Sequence, residues 1–509
     1  MNALSFPSIR ADGVWLILGM GETGLAAARW CIAQGATVRL ADTRAQIQGL
    51  EELTALAGVD LDCRLGEQAL LAASLQDVHT VVISPGLSPL DAPIAAFLAQ
   101  ARERGAEVIG EIELFARALK DLATQGQETR VLAVTGTNGK TTVSAMTRHI
   151  LEQAGVSARA VGNISPAALT ALYQALKEGE LPRVWVLELS SFQLESTFSL
   201  QAEAGVVLNI SQDHLDWHGG MEPYVQAKAR LFGFCRVAVV NRDDPAVMSM
   251  VDDATLDSVR SFGLGKPELT GDMGLGLDGG VEWLLASDPQ DFDLPVANPR
   301  RRKGDEGPAV RAAGRLNRLM PVEALQIKGR HNALNALAAL ILARSLGLGW
   351  AELLNGLRSY KGEPHRVELV RVIDGVQYLD DSKGTNVGAS VAALRGLDQR
   401  VWLIAGGLGK GQDFEPLALA ARKGVVEAFL IGQDAGQVAA ALQAQGVAHR
   451  FCDGLDAAVR QAAEQARSGD VVLLSPACAS MDMFKSYHHR GLCFVAAVTE
   501  LALDKGEAA

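Results

Sequence analysis

Closely spaced cysteines are missing from this chain. Its six, at positions 31, 63, 235, 452, 478 and 493, form neither zinc-ribbon pairs nor a dithiol redox motif, and read as buried thiols of a reducing compartment. Surplus positive charge is missing too: 47 Lys and Arg against 59 Asp and Glu leave a net charge of −12. That excludes the broad basic face that a nucleic-acid backbone recruits, while leaving room for a local basic pocket around a small anion. No apolar run reaches the roughly 20 residues needed to cross a membrane. Met1 to Arg10 has neither the basic start nor the apolar stretch of a secretion signal. The expectation is a cytoplasmic monomer with small-molecule partners, no nucleic acid and no membrane span.

What the chain does have is glycine and recurring apolar runs. Its 509 residues, 48% hydrophobic and 21% charged with 52 glycines, have the balance of a globular α/β protein and the length of about three domains. Val14 to Leu18, the turn Gly19-Met20-Gly21-Glu22-Thr23-Gly24, and Leu25 to Trp30 read as strand, glycine turn and helix, with further strands at Val38 to Asp42 and Val78 to Ser84. This predicts a Rossmann-like first domain over 1–118. After the polar stretch Asp121 to Arg130 come strands at Val131 to Thr135, Val184 to Glu188, Val206 to Ile210 and Val237 to Val240. They predict a central P-loop ATPase-like α/β domain over 119–362. Within it, residues 266–322 turn rich in Gly, Asp, Pro and Arg and read as a partly ordered insertion, its basic run Arg300 to Lys303 a solvated loop or an anion grip. A helix from Asn332 to Leu346 leads to a second Rossmann-like domain over 363–509, with strands at Val401 to Ala405, Ala428 to Ile431 and Val471 to Ser475.

The sharpest chemical signal is Thr135-Gly136-Thr137-Asn138-Gly139-Lys140-Thr141-Thr142, between a strand and a helix. Such a loop aims backbone N–H groups and a helix N-terminus at phosphate oxygens, with Lys140 a point charge for the β and γ phosphates and the Thr141 hydroxyl a Mg²⁺ ligand. Val134 stands where a common P-loop has its first glycine. Glu188 ends a neighbouring strand, where a metal-bound nucleotide takes a carboxylate; a cap on Ser190 and Ser191 is the alternative. Asp213-His214-Leu215-Asp216-Trp217-His218 gathers acids and imidazoles at another strand end, as a metal or substrate site or as hydrogen-bonded structural histidines. Gly19-x-Gly21-x-x-Gly24 with Asp42 names a diphosphate, which a UDP-sugar carries as NAD does, so a dinucleotide oxidoreductase stays open on that turn alone. Lys383, Thr385 and Ser480, on polar loops of the third domain, suit a carboxylated small molecule or plain turns and caps.

Thr135 to Thr142, Glu188-Leu-Ser-Ser-Phe-Gln193, Asp213-His-Leu-Asp216, His331-Asn-Ala-Leu-Asn335 and His365-Arg366 together resemble, in order, the motifs of the ATP-dependent Mur ligases of peptidoglycan precursor synthesis. The likeness covers nearly the whole chain. Asp381-Ser-Lys-Gly-Thr-Asn386 and Leu474-Ser-Pro-Ala-Cys-Ala-Ser480 resemble the branch that adds D-glutamate to UDP-N-acetylmuramoyl-L-alanine, with Gly384 in a position where alanine is expected. A folylpolyglutamate synthetase shares the phosphate loop but lacks a first domain like 1–118.

The resemblance implies ATP held by Gly136, Thr137, Asn138, Gly139, Lys140, Thr141, Thr142, Val143, Asn335 and Arg366. It implies two Mg²⁺ ions, one on Thr141 and Glu188 and a second on His214. Lys228 resembles the lysine that these enzymes carbamylate as a further metal ligand; an ordinary surface lysine is the alternative. Glu22, Thr23, Asp42, Gly86 and Asn163 would bind the UDP substrate, and Lys383, Thr385, Lys410, Ser480 and Tyr487 the D-glutamate. The position of Tyr487 more often carries phenylalanine.

Overall fold

The computed structural model describes residues 4–9, 12–289, 309–327, 329–397 and 399–506. They form two compact units, one of Met1–Ile210, Trp217–Val322 and Ala336–Arg358, the other of Ser211–Asp216, Glu323–Asn335 and Ser359–Ala509. The first unit holds two sheets and the second holds one, so three sheet-containing regions follow one another along the chain.

The first sheet alternates with helices: β1 (Val14–Leu18), α1 (Glu22–Ala33), β2 (Thr37–Asp42), α2 (Leu50–Ala57), β3 (Asp62–Leu65), β4 (Val78–Ile83), α3 (Ala92–Glu103), β5 (Glu107–Ile109) and α4 (Glu111–Thr124). Its all-parallel order β3-β2-β1-β4-β5 reverses direction beside β1. Trp15 to Leu18 are buried, as a strand covered on both faces requires. The glycine turn leaves the carboxyl end of β1, at the switch point where such sheets take ligands. Helix α4 runs across residues 118 and 119, where the first domain boundary is expected, and leads into the central sheet.

The central region contains β6 (Arg130–Thr135), α5 (Lys140–Gln153), β7 (Ala158–Gly162), α6 (Ala168–Glu178), β8 (Val184–Glu188), α7 (Ser191–Glu195), β9 (Ala202–Val207), α8 (Leu215–His218), α9 (Met221–Ala229), β10 (Cys235–Asn241), α10 (Pro245–Met248), β11 (Val259–Gly263), β12 (Met273–Asp278), β13 (Val281–Asp288) and β14 (Arg315–Pro321). They build a nine-stranded sheet, β14-β13-β12-β11-β10-β9-β6-β8-β7. Two expectations change here. Strand β9 ends at Val207: Leu208 N still bonds Thr135 O at 3.0 Å, but Asn209 then turns to the phosphate loop, accepting from Thr137 N at 2.9 Å, and Ile210 N donates to Asp244 Oδ2 at 2.8 Å. The stretch read as a partly ordered insertion supplies the antiparallel strands β13 and β14; Gly279 and Gly280, at φ 58° and 82°, make the two-residue hairpin that joins β12 to β13. The Arg300 to Lys303 run lies outside the described residues.

Helices α11 (Arg330–Arg344) and α12 (Trp350–Ser359) precede the third sheet. That sheet comprises β15 (Glu368–Ile373), β16 (Val376–Asp380), β17 (Val401–Gly406), β18 (Val425–Ile431), β19 (His449–Phe451) and β20 (Val471–Leu474), in the order β15-β16-β20-β17-β18-β19, parallel except at β15. Helices α13 (Val387–Arg395), α14 (Glu415–Ala421) and α15 (Ala435–Ala444) cover one face, and α16 (Leu455–Gln465) and α17 (Tyr487–Asp504) the other. All six cysteines are free, but only Cys31 and Cys478 are buried; the other four are partly accessible.

Candidate active site

The phosphate loop leaves β6 at Gly136, whose φ of 144° suits glycine and whose added Cβ would meet Leu208 Cβ at 2.9 Å. Gly139 takes φ 86° and starts α5 with no side-chain cap at the helix N-terminus. Asn209 braces the loop from below: its backbone oxygen accepts from Thr137 N, its side-chain oxygen from Asn138 N, both at 2.9 Å, and its amide donates to Asn138 O at 3.0 Å. The first N–H groups of the loop are thus turned to Asn209 rather than converging on one point as expected. Lys140 arches back, with Nζ donating to Gly136 O at 2.9 Å and Thr137 O at 2.8 Å.

A second amine approaches from α9. Lys228 is 1% exposed, so it is no surface lysine, and its Nζ donates to Gly136 O at 3.0 Å. One turn earlier, Tyr224 meets the Thr137 hydroxyl at 2.9 Å. Glu188, at the end of β8 and 1% exposed, accepts from Asn163 Nδ2 at 3.1 Å through one oxygen; its other oxygen is buried without a hydrogen-bond partner among the described residues. Such a carboxylate oxygen costs free energy unless something pairs with it. The capping alternative for Glu188 fails, since Ser190 and Gln193 form a reciprocal capping box of their own. Glu188 Oε2 and the Thr141 hydroxyl are hard oxygen donors of the kind Mg²⁺ takes, and the residues present fit that ion.

His214 and His218 part company. His218 is buried against Ser191 Oγ at 2.9 Å and beside the stacked rings of Phe192 and Trp217, a structural histidine. His214 belongs to the segment grouped with the second unit; it takes φ 55° and lies 3.5 Å from the Asp213 carboxylate.

In the first sheet, Asp42 braces the glycine turn by accepting from Met20 N at 2.7 Å and pairs with Arg44 at 2.7 Å. The Arg44 hydrogen bond holds its carboxyl down to about 2. A Cβ on Gly24 would lie 1.9 Å from Gly19 O, whereas one on Gly21 or Gly86 would meet nothing within 4 Å. The protein's own packing therefore explains Gly24 and places no such demand on Gly21. Glu22 accepts from Ser165 Oγ and Ala167 N, and the adjoining Thr23 is half-buried.

Lys383 Nζ stands 3.8 Å from the centre of the Tyr487 ring, and Lys410, at φ 54°, has its amine 3.8 Å from Asp213 Oδ1. Thr385 N closes a turn on Lys383 O at 2.9 Å, and Ser480 is buried. Asp381 is buried against Ser475 Oγ at 2.7 Å, and burial pushes its carboxyl up to about 7. A Cβ on Gly384 would lie 2.6 Å from Asp381 Oδ2, so glycine here is fitted to its neighbour and alanine would displace it. The Arg366 charge reaches both Asp381 and His331; burial first, then Arg366, lowers His331 to about 4. Asn335 donates to Asn332 Oδ1 at 3.1 Å.

Sequence reasoning missed Asn209, Tyr224 and Arg490. Tyr224 was accessible to it, standing four residues before Lys228 on one helix face. Arg490 is 1% exposed; it donates to Ser382 Oγ at 3.1 Å, Ser382 O at 2.9 Å and Cys478 O at 3.1 Å, tying together the two loops that carry Lys383 and Ser480. Burial lowers its pKa to about 10.

Three family descriptions match the chain: Mur ligase MurD-like, N-terminal domain, at 14–110; Mur ligase middle domain at 134–279; and Mur ligase, glutamate ligase domain, at 365–478. The chain belongs to the Mur ligase family. Within that family it is similar to the UDP-N-acetylmuramoylalanine–D-glutamate ligase of Bordetella bronchiseptica, 58% identical over 97% of each chain. The ligase of the same name from Ralstonia nicotianae is 52% identical over 96% of this chain and 97% of its own. Among solved structures, UDP-N-acetylmuramate-alanine ligase MurC from Thermotoga maritima covers 96% of this chain and 99% of its own with a TM-score of 0.54 and 18% identity, a likeness of fold.

Proposed function

We propose that this chain is the ATP-dependent ligase that joins D-glutamate to UDP-N-acetylmuramoyl-L-alanine, forming ADP and phosphate in peptidoglycan precursor synthesis. One observation carries the reading: a phosphate loop beside an unpartnered, buried Glu188 oxygen lies in a chain similar over 97% of its length to ligases of that name.

A free carboxylate resists attack by an amine, because its charge repels nucleophiles and its oxyanion is no leaving group. Transfer of the γ-phosphoryl group of ATP to the alanyl carboxylate gives an acyl phosphate; the D-glutamate amine attacks the carbonyl, phosphate leaves, and the amine loses a proton as the amide forms. Lys140 offsets the charge that gathers between ATP and the carboxylate, where electrostatic stabilisation contributes most. Mg²⁺ when bound supplies Lewis-acid charge neutralisation at the phosphates. Thr141 and Glu188 would hold one ion, and His214 with Lys228, once carbamylated, a second. Asn335 and Arg366 bind the nucleotide. Glu22, Thr23, Asp42, Gly86 and Asn163 bind the UDP substrate, contributing binding energy remote from the reacting carbon. Lys383, Thr385, Lys410, Ser480 and Tyr487 receive D-glutamate. Among the described residues no helix is long and apolar enough to cross a membrane, and a cytoplasmic monomer suits precursor synthesis.

The test is phosphate release from ATP with each amino acid in turn. Release that needs both UDP-N-acetylmuramoyl-L-alanine and D-glutamate, without any change in NADH absorbance, is the expected result. Release with L-lysine or diaminopimelate but not D-glutamate overturns it.

A further inference from the structure

The stretch 163–169 is held by two carboxylates that arrive from the first sheet and its linker helix. Glu22, on α1, accepts from Ser165 Oγ and Ala167 N. Glu111, the first residue of α4, accepts from Leu169 N at 2.6 Å, in the first turn of α6. Glu111 is 3% exposed, and its second oxygen has no hydrogen-bond partner among the described residues. The same stretch begins with Asn163, whose N–H bonds Glu188 O at 2.8 Å and whose side chain bonds the Glu188 carboxylate. Fixing residues 163–169 therefore fixes both a residue assigned to the UDP substrate and the support of a residue assigned to the metal.

We propose that Glu111 is a positioning residue: it anchors the start of α6 and, through residues 163–169, sets Glu22 and Asn163 for the UDP-linked substrate. This rests on the functional reading above. The titratable group that faces Glu111 across the junction is Glu22. From α6 come backbone N–H groups, its charged residues Lys177 and Glu178 standing at the far end, and on α4 itself Glu113 is turned away to Phe198 N and Ser199 N. Burial first, and the Glu22 charge after the opposing Leu169 hydrogen bond, push the Glu111 carboxyl up to about 7. Ionisation at higher pH sets a second negative charge beside Glu22, and the hold on Ser165 and Ala167 weakens.

Glu111→Gln keeps an oxygen for Leu169 N and cannot ionise. Between roughly pH 6 and pH 8.5, spanning the titration, the wild-type KM for the UDP substrate is expected to rise about fivefold, while that of the variant stays flat and the KM for D-glutamate follows one profile in both. Melting gives a second readout. A carboxyl raised in the folded state favours folding fully below its ordinary value of 4.5 and loses that contribution as pH rises to about 7, so the wild-type Tm falls between those values and the variant lacks that slope. Superimposable KM and melting profiles overturn the proposal. If the UDP substrate binds but D-glutamate is not used, the functional reading falls, and calorimetric Kd values for the UDP substrate replace KM and decide the role of Glu111 in the same way. Should Glu111→Gln fail to fold, Glu22→Gln must move the melting slope to lower pH, since it removes the neighbouring charge; an unmoved slope overturns the proposal.

Discussion

Two of the glycine turns that lead from strand to helix, after β1 and after β6, differ in how the charges around them are matched. At Gly19 to Gly24 the one buried carboxylate, Asp42, is matched by Arg44, and the turn is closed by its own contacts. At Gly136 to Thr142 two amines, of Lys140 and Lys228, share the Gly136 carbonyl, while the nearby Glu188 keeps an unpartnered oxygen. The difference teaches that turns of like glycine spacing can sit among unlike charges, matched at Asp42 in the first and left unmatched at one Glu188 oxygen beside the second.

The largest effects should fall on the unbalanced turn. Lys140→Ala is expected to lower phosphate release about 10³-fold, in the range of losing one transition-state contact, with melting little changed; release within about tenfold of wild type would place the two turns on the same footing. Glu188→Gln keeps the shape and the Asn163 contact, and kcat should fall about 10²-fold with more Mg²⁺ needed for half-maximal rate. Titrating Mg²⁺ against rate checks it, and an unchanged Mg²⁺ requirement refutes the metal assignment.

At the closed turn the glycines separate fold from binding. Gly24→Ala forces a Cβ onto Gly19 O and should cost about 2–4 kcal/mol in denaturant unfolding. Gly21→Ala meets open space; melting should hold while KM for the UDP substrate rises about tenfold, each factor of ten being about 1.4 kcal/mol. The smallest effect is expected from Asp42→Asn, about fivefold in the same KM and little in kcat. Because the Asp42 carboxyl is held down to about 2, its contribution to stability is present above the ordinary carboxylate range and is lost only as pH falls through about 2. The melting gap between wild type and variant should therefore persist from neutral pH to about pH 4.

How much of this was readable in the sequence depends on how far apart the partners lie. The phosphate loop and the glycine turn are each a few consecutive residues with conformational demands of their own, and both lie where expected. So do the core strands β1, β6, β8 and β17, whose continuous apolar runs suit burial on both faces. The support of each site was not readable. Asn209 is an ordinary asparagine 71 positions from the Asn138 it braces, and Arg490 is 108 positions from Ser382. The Gly- and Asp-rich composition of 266–322 masks the alternation over 273–288, so the hairpin reads as part of a partly ordered insertion. The premature end of β9 was hidden because Val206 to Ile210 is uniformly strand-like, and only the bonds of Asn209 to the phosphate loop and of Ile210 to Asp244 take it out of the sheet.

Arg490 also bears on the order of events during synthesis. It sits on α17, made after every residue it clasps, and it joins a loop after β16 to one after β20. A nascent chain halted before residue 490 has Lys383 and Ser480 already translated but not yet fastened to each other. The two loops are thus fastened to each other only once Arg490 has been made, and a chain halted before it lacks that clasp.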